Sequence, residues 1–99
     1  MPKGTNPWNT YKLPFSTDIV RKVRVIFAQR DGIKIRKTEK DAVMEGNIVK
    51  VRLTQEDTFQ LNEKLPVEHQ IRVMTKDGDV FKSHVEIFAV EKCLDREVL

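Results

Sequence analysis

Apolar side chains recur at every second position through most of this chain, and three glycine-bearing turns fix how the resulting segments pair. The alternation runs through Tyr11, Leu13 and Phe15, then Val23, Val25 and Phe27, then Ile33 and Ile35, then Val49, Val51 and Leu53. His69, Ile71 and Val73 continue it, and Phe81, Val85 and Ile87 close it. A period of two is that of a strand with one buried face, and the β-branched and aromatic residues at these positions suit a pleated surface. A slip of one residue would turn a whole strand's apolar set to solvent, so the turns decide the fold.

Arg30-Asp31-Gly32 works as a three-residue loop, a type I turn followed by glycine at the left-handed bulge position, which sets Phe27 opposite Ile35. A two-residue loop at Asp31-Gly32 would instead put Phe27 opposite Arg36 and mix the faces. Lys76-Asp77-Gly78, read the same way, pairs Val73 with Phe81 and His69 with Val85. Gly46-Asn47 keeps the apolar sides together as a two-residue loop, with Met44 opposite Val49 and Ala42 opposite Val51. Thr54 followed by Asp57 is a capping-box pattern, so a single helical turn is expected near 55–61, pinned to the core by Leu61 or Phe59. These pairings call for two sheets, one from segments 10–15, 42–45 and 48–53 and the other from 21–29, 33–38, 67–75 and 79–89. The expected fold is therefore all-β: an immunoglobulin-like β-sandwich of about seven antiparallel strands. It forms one domain over 1–99, with an N-terminal arm at 1–9 and a C-terminal tail at 91–99. Leu53-Thr54-Gln55-Glu56-Asp57-Thr58 looks like the corner before the sixth strand of antibody variable domains. No Tyr-x-Cys follows it and a single cysteine cannot form the inter-sheet bridge, so the likeness is one of physical solution, not kinship.

Cys93 is the only cysteine, which fits a reducing cytoplasm, and no apolar run approaches the ~18 residues of a membrane span. The N-terminus lacks the apolar core of a signal peptide. Net charge is +3, but positions 21–52 hold ten basic residues against four acids while 53–99 hold six against ten. Such asymmetry marks either a partner surface or two halves that lie against each other.

By parity, Lys22, Arg24, Lys34 and Arg36 face out from one sheet and Lys50 and Arg52 from the other. Arg72, Lys82 and His84 add charge to the first exterior, and Glu68 and Glu86 dilute it. The cations are thus divided between two exteriors, and the aromatics Tyr11, Phe15, Phe27 and Phe81 point inward, away from any stacking role. Nucleic-acid binding through the basic residues of 21–52 is the rival reading to a protein-binding surface. His69 has inward parity and His84 outward parity, with no cysteine or carboxylate at ligand spacing, so both read as structural and neither metal nor cofactor is expected. Ser83 falls diagonally beside His69, but no oxyanion-binding glycine loop accompanies the pair, and the reading is non-enzymatic. Trp8 lies before the first strand and Leu94, Val98 and Leu99 beyond the last. Apolar residues at chain ends point to docking, either on this domain or on a partner.

Over nearly its whole length the chain resembles a group of proteins of about this size encoded among the tail-module genes of phages and prophages of Gram-positive gut bacteria. The likeness is carried by Leu13-Pro14-Phe15, Val23 through Gln29, Met44-Glu45-Gly46-Asn47, Leu53 through Thr58, Gln70-Ile71-Arg72-Val73, Asp77-Gly78 and Lys92-Cys93-Leu94-Asp95. The resemblance implies production in the host bacterial cytoplasm and a virion-associated or assembly role. It transfers no catalytic or ligand residues. The candidate interaction surface is accordingly Arg24, Lys34, Arg36 and Arg72, with Trp8, Leu94 and Val98, and the expected partner is a phage structural protein or a second copy of the chain, with no membrane and no small-molecule substrate.

Overall fold

A computed structural model of the chain describes residues 5–83 and 85–90. The strands are Trp8–Lys12 (β1), Val20–Ala28 (β2), Lys34–Thr38 (β3), Ala42–Glu45 (β4), Ile48–Arg52 (β5), Val67–Thr75 (β6), Val80–Lys82 (β7) and Glu86–Phe88 (β8), joined among the described residues by one α-helix, Gln55–Phe59 (α1), and one 3-10 turn, Thr17–Ile19. They form two antiparallel sheets, β1-β5-β4 and β3-β2-β6-β7, with β8 also paired to β6. That is an immunoglobulin-like order: β1, β5 and β4 stand where strands B, E and D do, and β3, β2, β6 and β7/β8 stand where C′, C, F and G do. Sheet membership is as the sequence predicts. The first strand starts at Trp8, so the expected arm over 1–9 gives up its last residues to β1.

Loop length fixed three registers. Phe27 lies opposite Ile35, Met44 opposite Val49, and Val73 opposite Phe81. Gly32 and Gly78 occupy φ of 95° and 90°, and Gly46 φ of 60°, while no other residue type adopts positive φ among the described residues. Glycine alone enters this region at little cost. Between β5 and β6 the chain changes sheet through α1. Thr54 Oγ1 accepts from the Asp57 N–H at 3.1 Å and the Asp57 carboxylate accepts from the Thr54 N–H at 2.9 Å, closing the capping box. Leu61, fully buried, is the anchor; Phe59 is only half-buried.

The core lies between the sheets. Leu13, Val49, Val51 and Leu53 face Val23, Val25, Phe27, Ile35, Ile71 and Val73. Burying Phe27 alone stabilises by about 1.5–3 kcal/mol on transfer grounds. Gln29, also buried, accepts from the Asn62 N–H at 2.9 Å and donates to the carbonyls of Asn62 and Leu65 at 2.9 and 3.1 Å. One side-chain amide thereby holds the loop between α1 and β6 to the end of β2.

The last strand departs from expectation. His69 pairs with Glu86, not Val85, so the register slips by one after β7. The cause is local. The Ser83 carbonyl turns aside to accept from Gln70 Nε2 at 2.7 Å, and the Ser83 hydroxyl takes its place as acceptor for the Ile71 N–H at 3.2 Å. Splitting one strand into β7 and β8 follows, as at a β-bulge. Val85 and Ile87 are consequently exposed, at 53% and 65%, while Phe88 packs on the core and Val90 is buried in it. Glu86 leaves the exterior, where parity had placed it, for the rim beside His69.

Candidate interaction face

The exterior of the larger sheet is built in rows that cross the strands. In one row Arg24 lies opposite Arg72, and Arg72 opposite Lys82. Neighbouring strands are about 4.8 Å apart, and like charges directly opposite one another destabilise a sheet. Arg24 is relieved: its guanidinium lies 3.0 Å from Glu39, whose carboxylate also accepts from the Val23 N–H at 3.3 Å. Hydrogen bonds from its own backbone N–H and that of Val23, together with Arg24, hold the Glu39 carboxyl below the usual range. Among the described residues no carboxylate pairs with Arg72 or Lys82.

On either side of this row the exterior mixes apolar side chains with polar and charged ones, and Arg21 reaches over to donate to Met74 Sδ at 3.1 Å. Lys22, Met74 and Val80 form the next row, and with Arg24 and Arg72 they line an open depression of about 130 Å³. Beyond the row on the other side, Ile26, Ala28, Glu68, His69, Gln70 and Val85 line a second one of about 140 Å³. Arg36 lies opposite Ile26 and Lys34 opposite Ala28, at the β3 edge. Arg24, Lys34, Arg36 and Arg72 therefore share one exterior, as their parity predicts. Lys82 belongs with them, and the register set by the 76–78 turn already implied it. Val85 and Ile87 could not be found from parity, because the slip at Ser83 reverses their sides.

Trp8 lies on the opposite exterior. It is half exposed, with the Arg52 guanidinium 5.4 Å from its ring centroid, and Arg52 Nε donates to the Asn6 carbonyl at 2.9 Å. Lys50, Thr10 and Val43 lie beside it. The structure thus does not bring Trp8 together with the arginine face, and Leu94 and Val98, like His84, lie outside the described residues. Lys37, counted among the basic residues, is spent within the fold: its ammonium meets the Asp57 carboxylate at 2.6 Å, tying β3 to α1. Burial acts to raise the Asp57 carboxyl, but hydrogen bonds from Lys37 and Thr54 prevail and hold it below its ordinary value.

Between the sheets Tyr11 of β1 and His69 of β6 meet, with the hydroxyl 2.8 Å from Nδ1. His69 Nε2 faces the Glu86 carboxylate at 3.6 Å, Phe27 stacks on the imidazole at 5.8 Å, and Phe88 tilts over it at 5.1 Å. A proton on Nε2 points to the carboxylate and leaves Nδ1 to accept from Tyr11. Burial pushes the His69 pKa down against the opposing pull of Glu86, so the imidazole is neutral near pH 7. Burial, with Glu86, pushes the Tyr11 hydroxyl well above its ordinary value, and it stays protonated. This cluster joins the sheets. Ser83, one row away, already uses its hydroxyl as a ladder acceptor. Among the described residues, no three His, Cys, Asp or Glu side chains are placed to hold a metal ion, and no helix is long and apolar enough to cross a membrane.

Comparison with protein-family models, with curated proteins and with solved structures finds no match to this chain.

Proposed function

We propose that this domain is a phage- or prophage-encoded structural or adaptor module, tail-associated, that works by protein–protein contact rather than by chemistry. It would be made in the host bacterial cytoplasm and join the particle during assembly. The observation that carries the reading is the exterior of the larger sheet, where, among the described residues, Arg72 and Lys82 pair with no carboxylate and lie between the exposed Val80 and Val85. Arginine beside apolar surface is the composition that protein interfaces favour. The sequence resemblance supplies the tail setting.

Particles purified after prophage induction test it. Mass spectrometry is expected to find the protein in the particle or in tail intermediates, and Arg72→Glu is expected to deplete it there. Complete tails assembled in a strain lacking the gene, with the wild-type protein never co-purifying, would refute the proposal.

A further inference from the structure

We infer that the larger sheet's exterior receives an extended acidic segment of a protein partner, read as apolar-x-acid-x-apolar. The inference rests on the adaptor reading above and supplies the chemistry of the partner.

Three features of the face converge on this ligand. First, Arg24, Arg72 and Lys82 stand side by side on three adjacent strands, and among the described residues only Arg24 is paired with a carboxylate. A carboxylate from outside, seated over Arg72 and Lys82, would relieve the repulsion between them while gaining charge-assisted hydrogen bonds. Second, each flanking row presents apolar side chains among polar ones: Met74 and Val80 beside Lys22 on one side, Ile26 and Val85 beside Gln70 and Arg36 on the other. Successive residues on one face of a strand are about 6.7 Å apart, the spacing of alternate side chains in an extended peptide. A segment lying along the strands would therefore put an acid over the cationic row and an apolar side chain over each flank. Third, the slip at Ser83 clears the surface for it by taking Glu86 to the rim and bringing Val85 and Ile87 outward.

Other occupants fit less well. A second copy would set cationic row against cationic row, with Glu68 the lone outward acid on β2, β3, β6, β7 and β8 to offset it. A nucleic acid would find cations, but among the described residues no aromatic side chain faces out from these strands to stack on a base, and Val80, Val85 and Ile87 would be left against its polar backbone.

Fluorescence anisotropy with the full chain tests the inference. The probe is a labelled synthetic peptide of repeating Leu-Thr-Glu-Thr; controls are the same peptide with Lys for Glu and a duplex DNA of random sequence. The Glu peptide is expected to bind, with affinity falling as salt rises. Arg72→Glu and Lys82→Glu are each expected to weaken it by about tenfold or more. Lys64→Glu, an equal change of charge in the loop before β6, is expected to leave it unchanged. Both face variants are expected to melt at or above the wild-type temperature, because each replaces a like-charge neighbour by an opposite one. Loss of binding is then separated from loss of fold. The inference is overturned if the Glu peptide does not bind, if it binds Arg72→Glu and Lys82→Glu as tightly as wild type, if those variants unfold, or if duplex binds with the same dependence on Arg72. Should the Glu peptide bind through Arg72 while the protein never enters particles, the acidic-segment chemistry stands and the phage setting fails. The reverse pair of results removes the inference alone.

Discussion

Tyr11 and His69 meet across the two sheets of this sandwich. Antibody domains join strands B and F by a disulfide packed against a tryptophan of strand C. Here the corresponding strands, β1 and β6, are joined by a 2.8 Å hydrogen bond between hydroxyl and imidazole, packed against Phe27 of β2. A hydrogen bond can be titrated where a disulfide cannot. Because burial lowers the folded pKa of His69 from its ordinary 6.5, an unfolded chain takes up a proton in a range where the folded one refuses it. Stability is therefore expected to fall as pH drops below about 6.5, by at most about 1.4 kcal/mol per pH unit, and to level off once the folded imidazole is protonated. Glu39 and Asp57, whose folded values lie below their ordinary 4.5 and 3.8, add losses of the same sign only in more acid solution. Urea midpoints between pH 7 and pH 5 check this. His69→Gln keeps an acceptor for Tyr11 but cannot be protonated, and its profile is expected to be flatter; an identical slope would rule the assignment out. The inward side of His69 was legible from period-two parity. Its partner was not, since pairing across two sheets obeys no in-sheet register.

At the scale of elements, what the sequence disclosed was whatever local chemistry determines. Turn length with glycine position determined three hairpins, and Thr54 with Asp57 determined α1. The stability of these elements is expected to rest on the same few atoms. Thr54→Ala removes the acceptor for the Asp57 N–H and is expected to cost about 1 kcal/mol. Asp57→Ala removes both the reciprocal bond to the Thr54 N–H and the Lys37 pair linking β3 to α1, and is expected to cost more. Denaturant titration ranks the two, and a smaller loss for Asp57→Ala would show that the Lys37 contact contributes nothing. At Gly78, φ is 90° and a Cβ would meet no atom within 4 Å, so Gly78→Ala tests backbone conformation alone. Its expected cost is about 1–2 kcal/mol. The slip between β7 and β8 escaped sequence reading for the opposite reason. It depends on which of two oxygens of Ser83 accepts from Ile71, and a hydroxyl that competes with its own carbonyl leaves no periodic trace.

For the molecule as a whole, the slip alters what the surface presents. It takes an acid from the large exterior and adds two aliphatic side chains, so that face becomes more cationic and more apolar than alternation alone would make it. The cations remain divided, with Lys50 and Arg52 on the far side of the sandwich, and the net charge of +3 understates how uneven the surface is. Such a surface has a measurable consequence without any partner. Repulsion along Arg24–Arg72–Lys82 acts between exposed groups, and salt screens it: the Debye length shrinks from about 30 Å at 0.01 M to about 3 Å at 1 M. Adding sodium chloride is therefore expected to raise the stability of the wild-type domain, by up to about 1 kcal/mol, the scale of cross-strand charge pairs. In Arg72→Glu the row alternates in sign, so the same salt weakens attractions instead and the trend is expected to reverse. Thermal unfolding across a salt series for both proteins reads this directly. Parallel salt responses would mean that Arg72 and Lys82 do not repel Arg24 in solution, and the strain assigned to this face would be absent.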